Sequence, residues 1–130
     1  MNPSFRAWDK ETQTMLDVSL IDFKKSVLIG EHWEFGETNF INFDEIELMQ
    51  STGLFDKEGT EVFEGDILHH QIQTEYTFIV KYDKDKGRWY GDGLSRTYRI
   101  DIAKRFLSHY YKVIGNIYEN KNLLEVENED

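Results

Sequence analysis

The chain has no cysteine and only one proline, Pro3, among its 130 residues. Without thiols it can form neither disulfides nor thiolate zinc sites, and it has no cysteine nucleophile. A cysteine-free chain suits a reducing compartment, so we expect a cytoplasmic protein. No apolar run approaches the roughly 20 residues that a membrane-spanning helix needs. The N-terminal segment also lacks an apolar signal core, so neither secretion nor membrane association is expected.

Basic residues are also few. The chain has 15 Lys and Arg against 25 Asp and Glu, a net charge of −10. Residues 1–66 carry a net charge of −10, residues 67–118 carry +4 and residues 119–130 carry −4. The overall acidity disfavours broad affinity for DNA, which depends on neutralising phosphates. The segregated charge permits attraction between subunits, and we expect a homo-oligomer.

Aromatic residues, by contrast, are abundant, at 15% of the chain, and several alternate with polar residues. Leu16, Val18 and Leu20 alternate in one segment, and residues 76–82 alternate more strictly in another. This period of two predicts strands, so the fold class is mostly β. A helical spacing of apolar residues predicts one short helix near residues 101–109, with Asp101 as its N-cap. The run Gly91–Gly93 is predicted to open a loop.

We divide the chain into three parts on these patterns. Residues 1–47 form an N-terminal β unit, and residues 48–118 form a small SH3-like barrel. Residues 119–130 form an acidic C-terminal tail, partly disordered because its last six residues have little to bury.

The segment Leu48–Leu68, LMQSTGLFDKEGTEVFEGDIL, carries the most specific motif. Together with Phe5–Asp9 (FRAWD) and Val113–Asn120 (VIGNIYEN), it resembles the signature of the YopX-like family of small bacteriophage and prophage proteins. The resemblance implies a phage or prophage source, hence the cytoplasm of a bacterial host, and a mostly β architecture. It implies no particular biochemical activity.

Most residues of this motif are expected to determine the fold. Its glycines supply unusual backbone geometry, its apolar residues pack, and Asp66 bonds within a turn. If a subset has a further role, we favour interaction residues Trp8, Gln50 and Asp66, whose polar or amphipathic side chains are less needed for packing alone.

A second group of residues combines cations with aromatic rings between residues 81 and 99. It consists of Lys81, Tyr82, Lys84, Lys86, Arg88, Trp89, Tyr90, Arg96, Tyr98 and Arg99. Single-stranded nucleic acid is bound by such combinations, because bases stack on rings while cations follow phosphates. The same residues are equally explained as a hairpin with a basic solvent face, and the acidity of the chain favours that explanation. Lys84, Arg88, Trp89, Arg96 and Arg99 are kept as candidate interaction residues.

No motif indicates catalysis or a cofactor. There is no phosphate-binding glycine loop, and His69 and His70 are adjacent in a predicted strand, so their side chains point to opposite faces. The pair Asp83 and Asp85 begins like a calcium loop but lacks the glycine and the glutamate that would complete it. We therefore expect neither metal nor cofactor, and no enzymatic activity.

The sequence thus predicts a non-enzymatic, self-associating interaction protein with a host or phage protein as a further partner. Two alternatives stay open. One is a single-stranded nucleic-acid-binding module that uses the basic–aromatic hairpin 81–99. The other is an acidic decoy that inhibits a host nucleic-acid enzyme through residues 31–66.

Overall fold

The computed structural model describes residues 4–94, 99–102 and 104–125, and for residues 104–106 and 125 it describes the backbone. The chain forms two compact units, Met1–Ser51 and Thr52–Asp130. The sequence prediction started its second part at Leu48, inside a strand that runs through both units. The predicted disorder of residues 126–130 and the candidate Arg96 lie outside the described residues.

Unit 1 forms an antiparallel sheet. Its strands are β1 (Phe5–Asp9), β2 (Thr14–Asp22), β3 (Val27–His32), β4 (Thr38–Asn42) and the first part of β5 (Ile46–Phe55). The spatial order is β4-β3-β2-β1-β5, and one 3₁₀ turn (Phe43–Glu45) joins β4 to β5. Its core contains Ala7, Leu16, Leu28, Ile41 and Ile46.

A β-bulge interrupts β2 and changes which of its side chains face this core. The register of β2 on β3 shifts between Val18 and Leu20. Because a strand turns alternate side chains to opposite faces, the extra residue reverses the alternation beyond it. Leu20 is therefore 53% exposed. The prediction that it shares a face with Leu16 and Val18 was wrong.

Unit 2 contains a second antiparallel sheet and two short helices. Its elements are the end of β5, β6 (Glu61–Phe63), β7 (Asp66–His70), β8 (Thr77–Asp83), β9 (Arg88–Gly93), β10 (Arg99–Asp101), α1 (Lys104–Tyr110), β11 (Tyr111–Asn116) and α2 (Asn122–Glu125). The sheet order is β10-β9-β8-β7-β11, and β5 neighbours β6. The core of this unit contains Val62, Leu68, Phe78, Val80, Leu107 and Tyr111.

The mostly β class and the helix near residues 101–109 are confirmed, with two local corrections. Residues Gly91–Gly93 continue β9 and pair with β8 instead of opening a loop. A Cβ on Gly91 would lie 3.1 Å from the Phe78 side chain, so the missing side chain lets β9 pass over that ring. Asp101 ends β10 and α1 begins at Lys104, so Asp101 is not the N-cap. Within the described residues, no helix is long and apolar enough to span a membrane.

Candidate interaction surface

An apolar row crosses the outer face of three neighbouring strands in unit 1. Leu20 of β2 is opposite Ile29 of β3, and Ile29 is opposite Phe40 of β4. Phe40 is 71% exposed and Leu20 is 53% exposed, while Ile29 between them is partly buried. Side chains directly opposite one another lie on one face of a sheet. We call Leu20, Ile29 and Phe40 the outer row.

Further aromatic side chains are exposed in the turns at both ends of this face. Phe23 is 67% exposed, Trp33 is 50% exposed and Phe35 is 52% exposed. Trp33 is held by its indole N–H, which donates to Asp17 Oδ1 over 2.8 Å. Exposed apolar groups clustered in this way are typical of interaction surfaces.

The outer row ends at β4, an edge strand of the sheet among the described residues. The amide of His32 donates to the carbonyl of Glu37, and the amide of Phe43 donates to the carbonyl of Ser26. Antiparallel pairs alternate between bonded and non-bonded residues, so Asn39 and Ile41 direct their backbone groups to β3. The N–H and C=O groups of Thr38, Phe40 and Asn42 consequently point to the open edge.

Asp9 of β1 and His32 of β3 form a buried pair on the inner face of the sheet of unit 1. His32 Nε2 lies 2.9 Å from Asp9 Oδ2, and its Nδ1 lies 3.1 Å from the side-chain nitrogen of Asn39. The amides of Glu11 and Thr12 donate to Asp9 Oδ1. Burial alone raises the pKa of Asp9, but the hydrogen bonds from His32, Thr12 and Glu11 outweigh it, and the pKa is lowered below 3.8.

A cavity of about 300 Å³ adjoins this pair. Its lining residues are Asp9, Glu11, Thr12, His32, Phe35, Glu37, Asn39, Phe40, Ile41 and Glu45. General base catalysis needs a nitrogen or carboxylate that can reach a substrate proton. Both ring nitrogens of His32 already have protein partners, Asp9 and Asn39.

The motif carboxylates of unit 2 bond to the backbone. Asp56, which is 3% exposed, accepts from the amides of Glu58, Thr60 and Val113 at 2.8–2.9 Å. Asp66, 1% exposed, accepts from the amide of Phe63. Such bonds fix turns in place.

Asn116 has the same function at the end of β11. Its Oδ1 accepts from the amides of Tyr118 and Glu119, and its Nδ2 donates to the Glu119 side chain. A Cβ on Gly115 would collide with Asn120, whose Oδ1 in turn accepts from the Asn116 amide. The predicted irregularity at Gly115 is confirmed by a register shift at this point.

The predicted interaction residues of the motif lie in different surroundings. Trp8 is 6% exposed and Asp66 is enclosed, so neither presents a surface for a partner. Gln50 is exposed on β5. Of these three residues, Gln50 is the one with an exposed side chain.

The basic–aromatic hairpin is largely neutralised by its own carboxylates. Lys81 contacts Asp92 at 2.6 Å, Arg99 contacts Asp83 at 2.9 Å and Arg88 contacts Asp101 at 3.5 Å. The Arg99 guanidinium also lies 3.7 Å above the centre of the Tyr90 ring.

The remaining cations of this hairpin lie in its turn. Lys84 and Lys86 are exposed and make no ion pair within the described residues. Trp89 is half-buried against Tyr82, with ring centres 4.9 Å apart. The described part of the hairpin therefore leaves two unpaired cations at its tip.

His70, which the sequence analysis considered with His69 and did not assign to a metal site, is a buried histidine. Its Nδ1 accepts from the amides of Ile72 and Gln73, and its ring stacks on Tyr110 with centres 5.3 Å apart. Burial lowers its pKa below 6.5, against the raising effect of Glu75. Across the described ranges, no three His, Cys, Asp or Glu residues are grouped as metal ligands.

The outer row was missed because the sequence analysis used Leu20 only as part of an alternating strand and did not consider Phe40. The only sequence signal for Leu20 was the pair Leu20 and Ile21, since two consecutive apolar residues in an alternating strand are compatible with a bulge. Asp9 stood in the first motif block, but its partner His32 lies 23 residues away.

Comparison with known proteins identifies the family. The chain is similar to protein EF1440 from Enterococcus faecalis, with 32% identity, a TM-score of 0.69, and coverage of 96% of this chain and 99% of that one. Protein YopX from Bacillus subtilis has the same fold, with 18% identity, a TM-score of 0.55 and coverage of 96% and 98%. No curated protein matches. The family model described as YopX protein matches residues 4–125, so the chain belongs to the YopX family.

Proposed function

We propose that this protein is a non-enzymatic interaction protein that associates with copies of itself. The carrying observation is the outer row, where Leu20 and Phe40 expose large apolar side chains beside an open strand edge. Soluble chains rarely leave such groups together on a surface without a partner. An edge strand gains further stability from cover, because its backbone groups then form hydrogen bonds with protein.

A non-enzymatic role is supported by the state of the polar groups. Nucleophilic or acid–base catalysis needs an activated group in a cleft. His32 is the histidine next to the cavity, and its ring nitrogens are bonded to Asp9 and Asn39. Asp56 and Asp66 hold backbone amides. The hydrogen bonds of these groups stabilise the fold.

The family membership supports a phage or prophage source, and with it action in the cytoplasm of a bacterial host. A host or phage protein is then the natural second partner, in addition to a second copy of this chain. Nucleic acid ranks lower because Lys81, Arg88 and Arg99 have carboxylates beside them, which reduces the gain from phosphate contacts. The role of an acidic decoy would use the acidic side chains of residues 31–66, whereas the outer row is apolar.

Light scattering coupled to size exclusion, at low and at high salt, tests the proposal. We expect a defined oligomer whose population falls as the protein is diluted. The segregated charges of the chain predict that salt weakens it, because exposed ion pairs are screened. A chain that stays monomeric at every concentration and salt level would contradict the proposal and would place nucleic-acid binding first.

A further inference from the structure

We propose that two copies of the chain associate by pairing their β4 strands edge to edge, antiparallel, about a two-fold axis at Phe40. This inference rests on the proposed self-association and gives it a surface and a register. The outward backbone groups of Thr38, Phe40 and Asn42 supply the bonds. In this register Phe40 is opposite Phe40 of the second copy, and Thr38 is opposite its Asn42.

The backbone of β4 is suited to such pairing. Its outward groups alternate with those bonded to β3, so a second copy meets donors and acceptors at the spacing of an ordinary ladder. Edge strands that avoid pairing usually carry lysine, proline or a bulge. The sequence of β4, Thr-Asn-Phe-Ile-Asn, has no lysine and no proline, and its register on β3 is regular.

The side chains agree with the same register. Because Phe40 faces Phe40 of the second copy, the outer row of one copy continues into the outer row of the other. The joined row runs Leu20, Ile29, Phe40 and then the same residues in reverse order. Aromatic pairs directly opposite one another stabilise a sheet relative to alanine pairs.

Charge favours the antiparallel direction. The turn at one end of β4 carries the exposed Glu34 and Glu37, which make no ion pair among the described residues. The other end of β4 adjoins the turn that carries Lys24 and Lys25, and Asp44 and Glu45 follow β4 directly, so this end has no net positive charge.

Antiparallel pairing places the glutamate turns of the two copies at opposite ends of the joined strands. Parallel pairing would bring the two glutamate turns together, and like charges would repel. The two-fold arrangement also joins the two outer rows into one apolar surface and closes at two copies, which commits the edge to a second copy of the chain.

Cysteine crosslinking of the full chain tests the register, because the natural sequence contains no thiol. In the proposed pair the two Cα atoms at position 40 are about 5.5 Å apart, within the range that a disulfide bridges. The two Cα atoms at position 38 are about 14 Å apart, since they are offset by four residues along the strand.

Four variants are compared under mild oxidation, at a concentration where the natural chain is oligomeric. Phe40→Cys and the double variant Thr38→Cys with Asn42→Cys are expected to form covalent dimers. Thr38→Cys alone and Ile72→Cys are expected to crosslink at least about tenfold more slowly, by the distance criterion for disulfides. Ile72 is the matched control because its side chain is 69% exposed, against 71% for Phe40. Circular dichroism verifies that each variant is folded.

The outcomes separate this inference from the proposed function. If the natural chain is oligomeric and Phe40→Cys crosslinks no faster than Ile72→Cys, the β4 pairing is wrong while self-association stands. If the single Thr38→Cys variant crosslinks as fast as Phe40→Cys, the register about Phe40 is wrong. If the natural chain is monomeric throughout, the proposed function itself fails.

A second measurement avoids thiols. Phe40→Ser is expected to weaken self-association by at least about tenfold, through loss of the facing aromatic pair and of apolar area. Ile72→Ser should leave self-association unchanged. Equal behaviour of the two variants in light scattering would overturn the role of Phe40.

Discussion

The two units of this chain use buried polar groups in different ways. In unit 1, the buried Asp9 accepts from two backbone amides but also pairs with the His32 side chain, which in turn contacts Asn39. In unit 2, buried carboxylates bond to backbone amides, as Asp56 does at three positions. Unit 1 also aligns the exposed Leu20 and Phe40 with Ile29 across neighbouring strands of one sheet face. The motif that identifies the family thus lies mainly where turns are fixed, whereas the surface suited to a partner lies elsewhere.

The difference shows that a family signature and a functional surface need not coincide. The signature residues Asp56, Asp66 and Asn116 are buried and accept hydrogen bonds from backbone amides, so their first effect is on the fold. The residues of the outer row are exposed, and their replacement should affect association before stability. Four substitutions, taken in order of expected effect, would break or sharpen this comparison.

Removing the Asp56 carboxylate should have the largest effect. Asp56→Ala leaves three amides without their acceptor, and we expect the free energy of unfolding of unit 2 to fall by about 3–5 kcal/mol. Urea unfolding followed by the fluorescence of Trp89, in a Trp8→Phe and Trp33→Phe background, reads this unit separately. The control variant Asp85→Ala removes an exposed carboxylate in a turn. It should change the free energy of unfolding by less than about 0.5 kcal/mol. Similar losses in the two variants would remove the distinction drawn for unit 2.

Removing His32 should destabilise unit 1 somewhat less. His32→Ala takes the partner from the buried Asp9, which keeps its two backbone bonds, and we expect a loss of about 2–4 kcal/mol. Trp8 reports on unit 1 in a Trp33→Phe and Trp89→Phe background. His32→Gln can still donate to Asp9 and should recover part of the loss. A neutral His32→Ala variant would show that the network contributes little.

His70 should give unit 2 a dependence on pH. Its pKa is lowered in the folded state, so the unfolded chain takes up a proton first as the pH falls. Its contribution to stability is complete above pH 6.5 and is lost as the pH falls from 6.5 towards the folded pKa.

His70→Gln, which can still accept a hydrogen bond, should cost about 1 kcal/mol at pH 7.5. The variant should also flatten the stability profile of unit 2 between pH 7.5 and 5.5. The measurement is urea unfolding at several pH values with Trp89 as reporter. An unchanged slope in the variant would assign the pH dependence to other groups.

The surface ion pairs of the basic hairpin should have the smallest effect on stability. Lys81→Ala breaks a contact to Asp92 between two exposed side chains, and such pairs contribute at most about 1 kcal/mol. Lys84→Ala, which breaks no pair, is the control, and thermal unfolding compares them. A loss of several kcal/mol in Lys81→Ala would show that unit 2 also depends on its surface charges.

The sequence predicted the features that depend on neighbouring residues. Alternation over residues 76–82 corresponds to β8, and the turn before Gly59 corresponds to an Asp56 that bonds amides two and four residues later. The helical spacing after Asp101 corresponds to α1. Each of these depends on local periodicity or on turn chemistry.

Features that depend on distant residues were not predicted. Gly91 was interpreted as a loop residue because glycine disfavours strands, but packing over Phe78 outweighs that preference. The pairing of Asp9 with His32 and the position of β4 at an edge follow from the order of strands, which no local pattern specifies. The mostly β class was accessible from the sequence, and the candidate surface was not.

The bulge in β2 has a consequence for how this family can diversify. Because one additional residue decides whether Leu20 faces inward or outward, the outer row is controlled by a single insertion or deletion. We expect that one residue inserted into β3 opposite Ser19 would restore the alternation of Leu16, Val18 and Leu20 and remove one end of the apolar row, whereas deleting Ser19 would leave Leu20 opposite Ile29 on the outer face. A relative could therefore gain or lose an adhesive face through the length of one strand, with no exchange of one amino acid type for another.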